Sequence, residues 1–249
     1  LFVDGNKTIF TSFNSIEKVP WEKHNVDIII DATGIEKNVY KSREILNSQK
    51  VKKIIVTFCP KTKIDGTFLY GVNFDSYDSK KHHLISSSIC DSNAVAPFYK
   101  LIDDSFGIEL GEITTLHPWL GYQNLLDGTI SSVSNPGHFW TDYALGRSSP
   151  NNLIPKSTRL VDALEEVIPN ISQKIHASSF RTPTSIVSAA EGVFLLKDIT
   201  SLEDIVQQIR NYQNKFPGVI EVENRSLVSI DFKSTKCSAT IDKRWLFLN

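Results

Sequence analysis

Cys90 and His117 are the pair in this sequence best placed to do covalent chemistry. Leu84-Ile85-Ser86-Ser87-Ser88 is an extended stretch running into Cys90, and helical spacing begins just after it. A cysteine at such a strand-to-helix corner meets the helix's free amides and positive dipole end, which can lower a thiol pKa. The carboxyl edge of a parallel sheet is also where α/β proteins hold their ligands. By residue type alone, Cys90 reads equally well as a buried structural cysteine. His117 ends a strand that follows the Cys90 helix, so one strand–helix–strand unit can bring both residues to one edge. An imidazole there can generate or stabilise a thiolate and later hand a proton to an oxyanion, although spacing alone would admit any of the six histidines. Cys59 and Cys237 fall in expected strands and read as structural. His82, His83 and His138 lie in polar surroundings and read as solvated; no spacing among the six histidines suggests a metal site.

These side chains need elements to position them. Val26-Asp27-Ile28-Ile29-Ile30-Asp31, closed by a Thr33-Gly34 turn, has the look of a strand buried on both faces of a parallel sheet. The spacing predicts a helix over 36–48 and a second buried strand over 53–58, together a right-handed crossover. Past Asp91, Val95, Phe98, Leu101, Ile102 and Phe106 recur at helical spacing, and Gly107 stands where a C-cap belongs. A strand over 112–116 comes next. The polar stretch over 118–152 is long enough to be a functional loop or an interface element. Leu160, Ala163, Leu164, Val167 and Ile168 form a short amphipathic helix. Further strands are expected over 179–188, 193–196, 227–232 and 239–248, with a helix over about 202–213 opened by a Thr200/Glu203 capping box. The fold class is therefore α/β plus α+β. A partial Rossmann-type dinucleotide-binding domain over 1–89 precedes a mixed-sheet catalytic domain over 90–249.

Bulk properties narrow the setting. Charges nearly cancel, with 27 Lys+Arg against 28 Asp+Glu, so no basic field points to nucleic acid or anionic lipid. No apolar run approaches the roughly 18–20 residues that span a bilayer, and no signal-peptide pattern opens the chain. Three cysteines without paired spacing argue against a disulfide framework and fit a reducing cytoplasm. There is no methionine, and the chain opens at Leu1 in mid-pattern, so elements are expected beyond both ends.

The segment Ser87-Ser88-Ile89-Cys90-Asp91-Ser92-Asn93-Ala94-Val95-Ala96-Pro97 resembles the S-x-x-C-T-T-N-x-x-A-P nucleophile motif of glyceraldehyde-3-phosphate dehydrogenases. Other blocks match in the same order. Val26 to Gly34 resembles V-D-I-V-x-x-T-G, and Gly71-Val72-Asn73 matches G-V-N. Thr114-Thr115-Leu116-His117 looks like T-T-V-H, and Gln123 with Asp127-Gly128 looks like Q-x-x-x-D-G. Gly146-Arg147-Ser148 through Asn152-Leu153-Ile154-Pro155-Lys156-Ser157-Thr158 resembles G-R-G-A-A-x-N-I-I-P-S-S-T, and Phe180-Arg181-Thr182-Pro183-Thr184 resembles F-R-V-P-T. The resemblance implies that a Cys90 thiolate adds to an aldehyde while His117 hydrogen-bonds the hemithioacetal oxygen. Hydride then passes to NAD or NADP, and inorganic phosphate cleaves the thioester. It further implies that Arg181 and Thr158 hold phosphate groups, with Ser92, Asp91 and Arg159 also at the substrate. Thr33-Gly34 and Thr57-Phe58 would be cofactor-facing turns. The stretch over 118–152 matches an S-shaped intersubunit loop, and a homotetramer is the expected assembly. Trp119, Tyr122, Phe139, Trp140 and Tyr143 are candidate anchors for that contact.

Departures from the family pattern cluster around the substrate. Asp91 replaces a threonine, and its carboxylate would oppose a thiolate and repel phosphate. Leu120 replaces a phosphate-binding threonine, Ile89 a small residue, and Arg159 a glycine; Arg159 could offset the Asp91 charge. The glycine-rich dinucleotide turn and its acidic ribose reader are expected before the point matching Leu1. The family's terminal W-Y-D-N-E strand and helix are expected after Asn249. The leading expectation is an NAD(P)-dependent dehydrogenase of phosphorylated aldehydes, on a variant substrate. A catalytically degraded homologue serving as a binding or structural subunit is the rival. A semialdehyde dehydrogenase would fit Asp91 and Leu120 but gives no reason for Arg181 and Thr158.

Overall fold

The computed structural model describes residues 2–121, 123–128 and 143–249; Tyr122, His138, Phe139 and Trp140 lie outside the described residues. Two compact units make up the chain, 1–66 with 78–86 and 67–77 with 87–249.

In the first unit, β1 (Ile28–Asp31), α1 (Glu36–Ser48), β2 (Lys53–Val56) and β3 (Leu84–Ser86) follow in order, with β2 central and parallel to both neighbours. The buried stripe of α1 is Val39, Ser42 and Ile45, spaced three apart as a helix face requires. Val39 and Ile45 pack on Ile29, Ile54, Val56 and Leu84. Only one face of β1 is covered. Ile28 and Ile30 remain 54% and 66% exposed, contrary to the expectation of a strand buried on both faces. The run is apolar on both sides, but α1 covers one, and among this unit's described residues no second α-helix covers the other.

In the second unit, α2 (Cys90–Phe106) leads into the long strand β4 (Ile108–Pro118). β5 (Ile154–Pro155), α3 (Leu160–Glu165), β6 (Ile175–Thr182), β7 (Ala189–Leu196) and α4 (Leu202–Lys215) complete its main layers. The sheet runs β7-β4-β6-β5. β4 is antiparallel to β7 and parallel to β6, while β5 is antiparallel to β6. Tyr99 and Ile102 of α2, Leu160 and Leu164 of α3, and Ile209 of α4 join Ile113 and Ile175 of the sheet in one apolar core. Along β4, Ile113, Thr115 and His117 alternate into that buried face, the period of two that a strand imposes. A second, two-stranded parallel pair joins β8 (Ile220–Glu223) to β9 (Ala239–Asp242).

The Gly-Val-Asn block earns its glycine locally. Gly71 has φ +83°, and a Cβ there would meet the Tyr212 hydroxyl at 2.3 Å; that hydroxyl donates to the Gly71 carbonyl at 2.8 Å. Asn73 closes the same turn, its Oδ1 accepting from the Leu69 amide at 2.8 Å.

Several element expectations are corrected. The segment 227–232 is a 3-10 turn over Ser229–Phe232, because the Asp231 carboxylate turns back to accept from the Val228 amide and draws the backbone out of extension. The last strand stops at Asp242, whose carboxylate accepts from the Arg244 amide and opens another 3-10 turn. β8 was not anticipated. The α4 cap is Ser201, whose hydroxyl accepts from the Asp204 amide at 3.1 Å, so the cap sits one residue later than the expected Thr200/Glu203 box. Cys59 is buried beyond the end of β2, and Cys237 precedes β9; neither lies in a strand. Among the described residues no helix is long and apolar enough to cross a membrane.

Candidate active site

The corner before Cys90 is held in an unusual conformation. Ser88 has φ +62°, a left-handed backbone that costs a non-glycine residue on the order of 1 kcal/mol. Asn93 ties the corner down: its Nδ2 donates to the carbonyls of Ser87 and Ile89 at 2.8 and 2.9 Å. Ile89 is the extended N-cap residue, and Cys90 is the first residue of α2. Cys90 is exposed. Ser92, two residues on, is 0% exposed, and its Oγ has no hydrogen-bond partner among the described residues. Helical geometry turns Ser92 inward, away from the surface that Cys90 occupies. A substrate contact by Ser92 would require this hydroxyl to become accessible.

His117 comes from the far end of β4. Parallel register pairs it with Arg181 on β6 and pairs Thr115 with Ser179. Thr115 Oγ1 donates to Ser179 Oγ at 2.8 Å, and registered neighbours share a sheet face. Thr182 Oγ1 donates to the His117 carbonyl at 3.0 Å, and Arg181 Nη1 donates to the Pro118 carbonyl at 3.1 Å. Both bonds fix the two strand ends relative to each other.

Asp91 joins the cysteine to the histidine. Cys90 Sγ donates to Asp91 Oδ1 at 3.1 Å. His117 Nε2 lies 3.1 Å from Oδ1 and 3.2 Å from Oδ2 of the same carboxylate. Asp91 is 8% and His117 6% exposed. The sulfur, the imidazole nitrogen and a carboxylate oxygen all lie within 4.8 Å of one another. His117 Nδ1 faces Ser188 Oγ at 3.5 Å.

This arrangement reverses the expected electrostatics of the thiol. Desolvation of the sulfur, then the charge and hydrogen bond of Asp91, push Cys90 up to about 11. The backbone at the helix start and the Lys156 charge act the other way, and lose. Desolvation opposes ionisation of Asp91 too, but the His117 hydrogen bond and charge, with help from Cys90 and Lys156, hold its carboxyl below the usual range.

Lys156 is the residue the sequence reading missed. β5 is antiparallel to β6 with Ile154 opposite Arg181, and the Lys156 amide donates to the Ser179 carbonyl at 2.9 Å. That register puts Lys156 on the sheet face shared by Ser179 and Arg181. Half-buried, it is held below the ordinary lysine range first by desolvation and then by Arg181, against Asp91 and Cys90, which favour its charge. The available signal was its place in Pro155-Lys156-Ser157-Thr158, where the family pattern has serine. Arg159, a cation that could partly offset Asp91, stands at the start of α3 and pairs with Asp162 at 3.8 Å. Thr158 Oγ1 accepts from the Leu160 amide at 3.1 Å, which leaves its hydroxyl hydrogen to donate elsewhere.

The residues expected to face a cofactor, Thr33, Gly34, Thr57 and Phe58, lie in the first unit at the carboxyl ends of β1 and β2. Asp31 Oδ1 accepts from the Thr33 amide and hydroxyl at 2.9 and 2.6 Å, while the buried Asp31 Oδ2 has no hydrogen-bond partner among the described residues. Gly34 has φ +69° with open space around its Cα. The Thr57 amide donates to the Asp31 carbonyl at 3.1 Å, and the Phe58 carbonyl accepts from Ser86 Oγ. Two turns at adjacent parallel strand ends, plus an orphaned acceptor, fit one wall of a dinucleotide site.

Residues 89–247 match the family model described as glyceraldehyde 3-phosphate dehydrogenase, C-terminal domain. The chain belongs to the glyceraldehyde-3-phosphate dehydrogenase family. It is 31% identical to glyceraldehyde-3-phosphate dehydrogenase 2 of Trichormus variabilis, over 96% of this chain and 68% of the relative. It is 30% identical to the Bacillus subtilis protein of the same name, over 97% and 68%. To the glyceraldehyde-3-phosphate dehydrogenase of Buchnera aphidicola it is 32% identical, over 100% and 72%. These relatives bear the names of oxidoreductases acting on an aldehyde. The family's fold, a mixed α/β chain with parallel and mixed sheets, is the one described above.

Proposed function

We propose that this protein is a phosphorylating aldehyde dehydrogenase of the glyceraldehyde-3-phosphate type. In this reading Cys90 is the nucleophile and His117 the oxyanion partner. What supports it is one juxtaposition: a cysteine at the opening of α2, exposed as a residue though its sulfur is partly desolvated, with an imidazole from the end of β4 within 4.8 Å of that sulfur, inside the region that matches the family.

The thiol attacks the aldehyde carbon, a C–S bond forms, and the carbonyl π pair moves onto oxygen. Asp91 Oδ1, 3.1 Å from Sγ, is placed to take the thiol proton, and His117 to donate to the new oxyanion. Arg181 and Thr158 hold phosphate groups, for which a planar guanidinium is well shaped, and Lys156 adds a second cation. Thr33, Gly34, Thr57 and Phe58 would hold NAD or NADP, which would serve as the hydride acceptor. The changes at Asp91, Leu120 and Lys156 support a substrate different from the family's usual one. A homotetramer and a cytoplasmic location follow from the same family reading; sedimentation of the purified protein tests the former.

Turnover of a phosphorylated aldehyde with NAD or NADP should vanish in Cys90→Ser, and unchanged turnover in that variant would end the assignment. A second reading has its own observation. A thiol pushed up to about 11 suits a catalytically degraded homologue that binds ligands without turning them over. Sluggish alkylation of Cys90, no faster than that of Cys59 and Cys237, together with absent turnover, would favour it.

A further inference from the structure

Cys90, Asp91 and His117 offer one thiol sulfur, one carboxylate oxygen and one imidazole nitrogen, all within 4.8 Å of each other. We propose that this corner binds a borderline-soft divalent cation of the zinc class. Sγ, an Asp91 oxygen and Nε2 are its three protein ligands, and water or an anion takes a fourth position.

The separations suit the ion. Asp91 Oδ1 lies 3.1 Å from both Sγ and Nε2. Tetrahedral zinc, with bonds of about 2.0 Å to oxygen and nitrogen and 2.3 Å to sulfur, places such atoms roughly 3.3–3.6 Å apart. The Asp91 oxygen would move a few tenths of an ångström from each partner, and the sulfur and the imidazole nitrogen, within 4.8 Å of one another, would settle at tetrahedral separation around the metal. The donor set also selects among ions. A thiolate and an imidazole disfavour magnesium and calcium, which demand oxygen ligands.

Two of the three ligands are already oriented. Asp91 and His117 are buried, Thr182 Oγ1 anchors the His117 backbone, and Ser188 Oγ faces the far ring nitrogen, an outer-shell contact of the kind that fixes a ligating imidazole. Cys90 is exposed, so the third ligand and the open coordination position face solvent. Binding replaces the thiol proton, which goes to solvent, with a metal–sulfur bond; nothing is oxidised or reduced. The thiolate and carboxylate together balance the divalent charge, whereas without the metal Asp91 keeps the thiol protonated. Lys156 and Arg181 lie on the same side of the sheet and oppose the cation, which favours a bound anion in the fourth position. A threonine in place of Asp91, as in the family pattern, would remove one ligand and one negative charge. The family's motif therefore lacks this third ligand. The metal site uses the residues of the proposed active site without depending on their chemistry, and a metal there would block the nucleophile reversibly.

Cobalt(II) titration of the purified protein tests the assignment. A thiolate-to-cobalt charge-transfer band with tetrahedral visible bands is expected, displaced by zinc. Cys90→Ser should abolish the charge-transfer band. Asp91→Thr and Asp91→Asn, each checked for folding by circular dichroism, should weaken affinity by at least about tenfold. No band in the wild type, a band that persists in Cys90→Ser, or unchanged affinity in both Asp91 variants would each overturn the proposal. Turnover without cobalt binding refutes the metal site alone; cobalt binding without turnover refutes the dehydrogenase alone.

Discussion

Replacing Asp91 with threonine should make Cys90 more reactive. With its thiol at about 11, only about one sulfur in a thousand is ionised at pH 8, against about one in four for an ordinary cysteine thiol at 8.5. Desolvation is the largest cause of the upward shift, and the substitution leaves it in place; the Asp91 charge and hydrogen bond come next and are removed. Each pKa unit recovered multiplies the thiolate population by about 10 while intrinsic nucleophilicity falls by about threefold, so the alkylation rate near pH 8 should rise by about threefold per unit recovered. Iodoacetamide labelling read peptide by peptide follows Cys90, Cys59 and Cys237 in one experiment. The wild-type Cys90 rate should still be climbing at pH 10, and the Asp91→Thr profile should shift to lower pH. A wild-type inflection below the ordinary thiol range, or an Asp91→Thr rate equal to wild type, would refute the claim that this carboxylate suppresses the thiolate.

Other consequences follow from the same contacts. Arg181→Lys keeps the charge but loses the planar fork, and KM for a phosphorylated substrate should rise about tenfold, measured by initial rates. Leu164→Ala empties part of a fully buried core position and should cost about 2–5 kcal/mol in urea unfolding. Because the folded Asp91 carboxyl is held low, its stabilising contribution is present above the unfolded carboxyl pKa of about 3.9 and is lost as pH falls through the lower folded value. Asp91→Asn should therefore flatten the acid limb of Tm against pH, and an unchanged limb would show that the carboxylate is not held by its neighbours.

Most of the framework was legible because its signals are local. The helix over 36–48, the helix running to Phe106 with its Gly107 cap, and the strand leading to His117 all carry clear periodicity or punctuation. The errors fall where side chains fold back on their own backbone. Asp231 and Asp242 turn expected strands into 3-10 turns, and Ser201, with an extended backbone, supplies the cap in place of Thr200. The exposed side of β1 could not be foreseen, since a strand's apolar pattern does not say which neighbours exist to cover it. In the candidate site, the sequence marks Asp91 as a carboxylate beside the cysteine, but its place as a bridge to His117 depends on how a helix start meets a strand end. Lys156 was passed over for Arg159. Both are cations near the same motif, and only the register of β5 on β6 separates the one on the site's sheet face from the one drawn off to Asp162.

The position of Asp91 also constrains how any nucleophilic step here must run. In this chain the first turn of α2 already carries one anion, the Asp91 carboxylate, bound to Cys90 Sγ and His117 Nε2. A thiolate 3.1 Å away would add a second negative charge beside it, and a phosphorylated substrate at Arg181 would bring more. Lys156 and Arg181 supply two positive charges against that total, and His117 is committed to the carboxylate by its Nε2 contact. The balance therefore favours a neutral thiol in the resting site. Attack on an aldehyde must then remove the sulfur's proton as the C–S bond forms, with no standing pool of thiolate to draw on. In this geometry Asp91 is both the group that suppresses the free thiolate and the group within reach to receive its proton, so its removal should separate reactivity toward small alkylating agents from turnover of the true substrate.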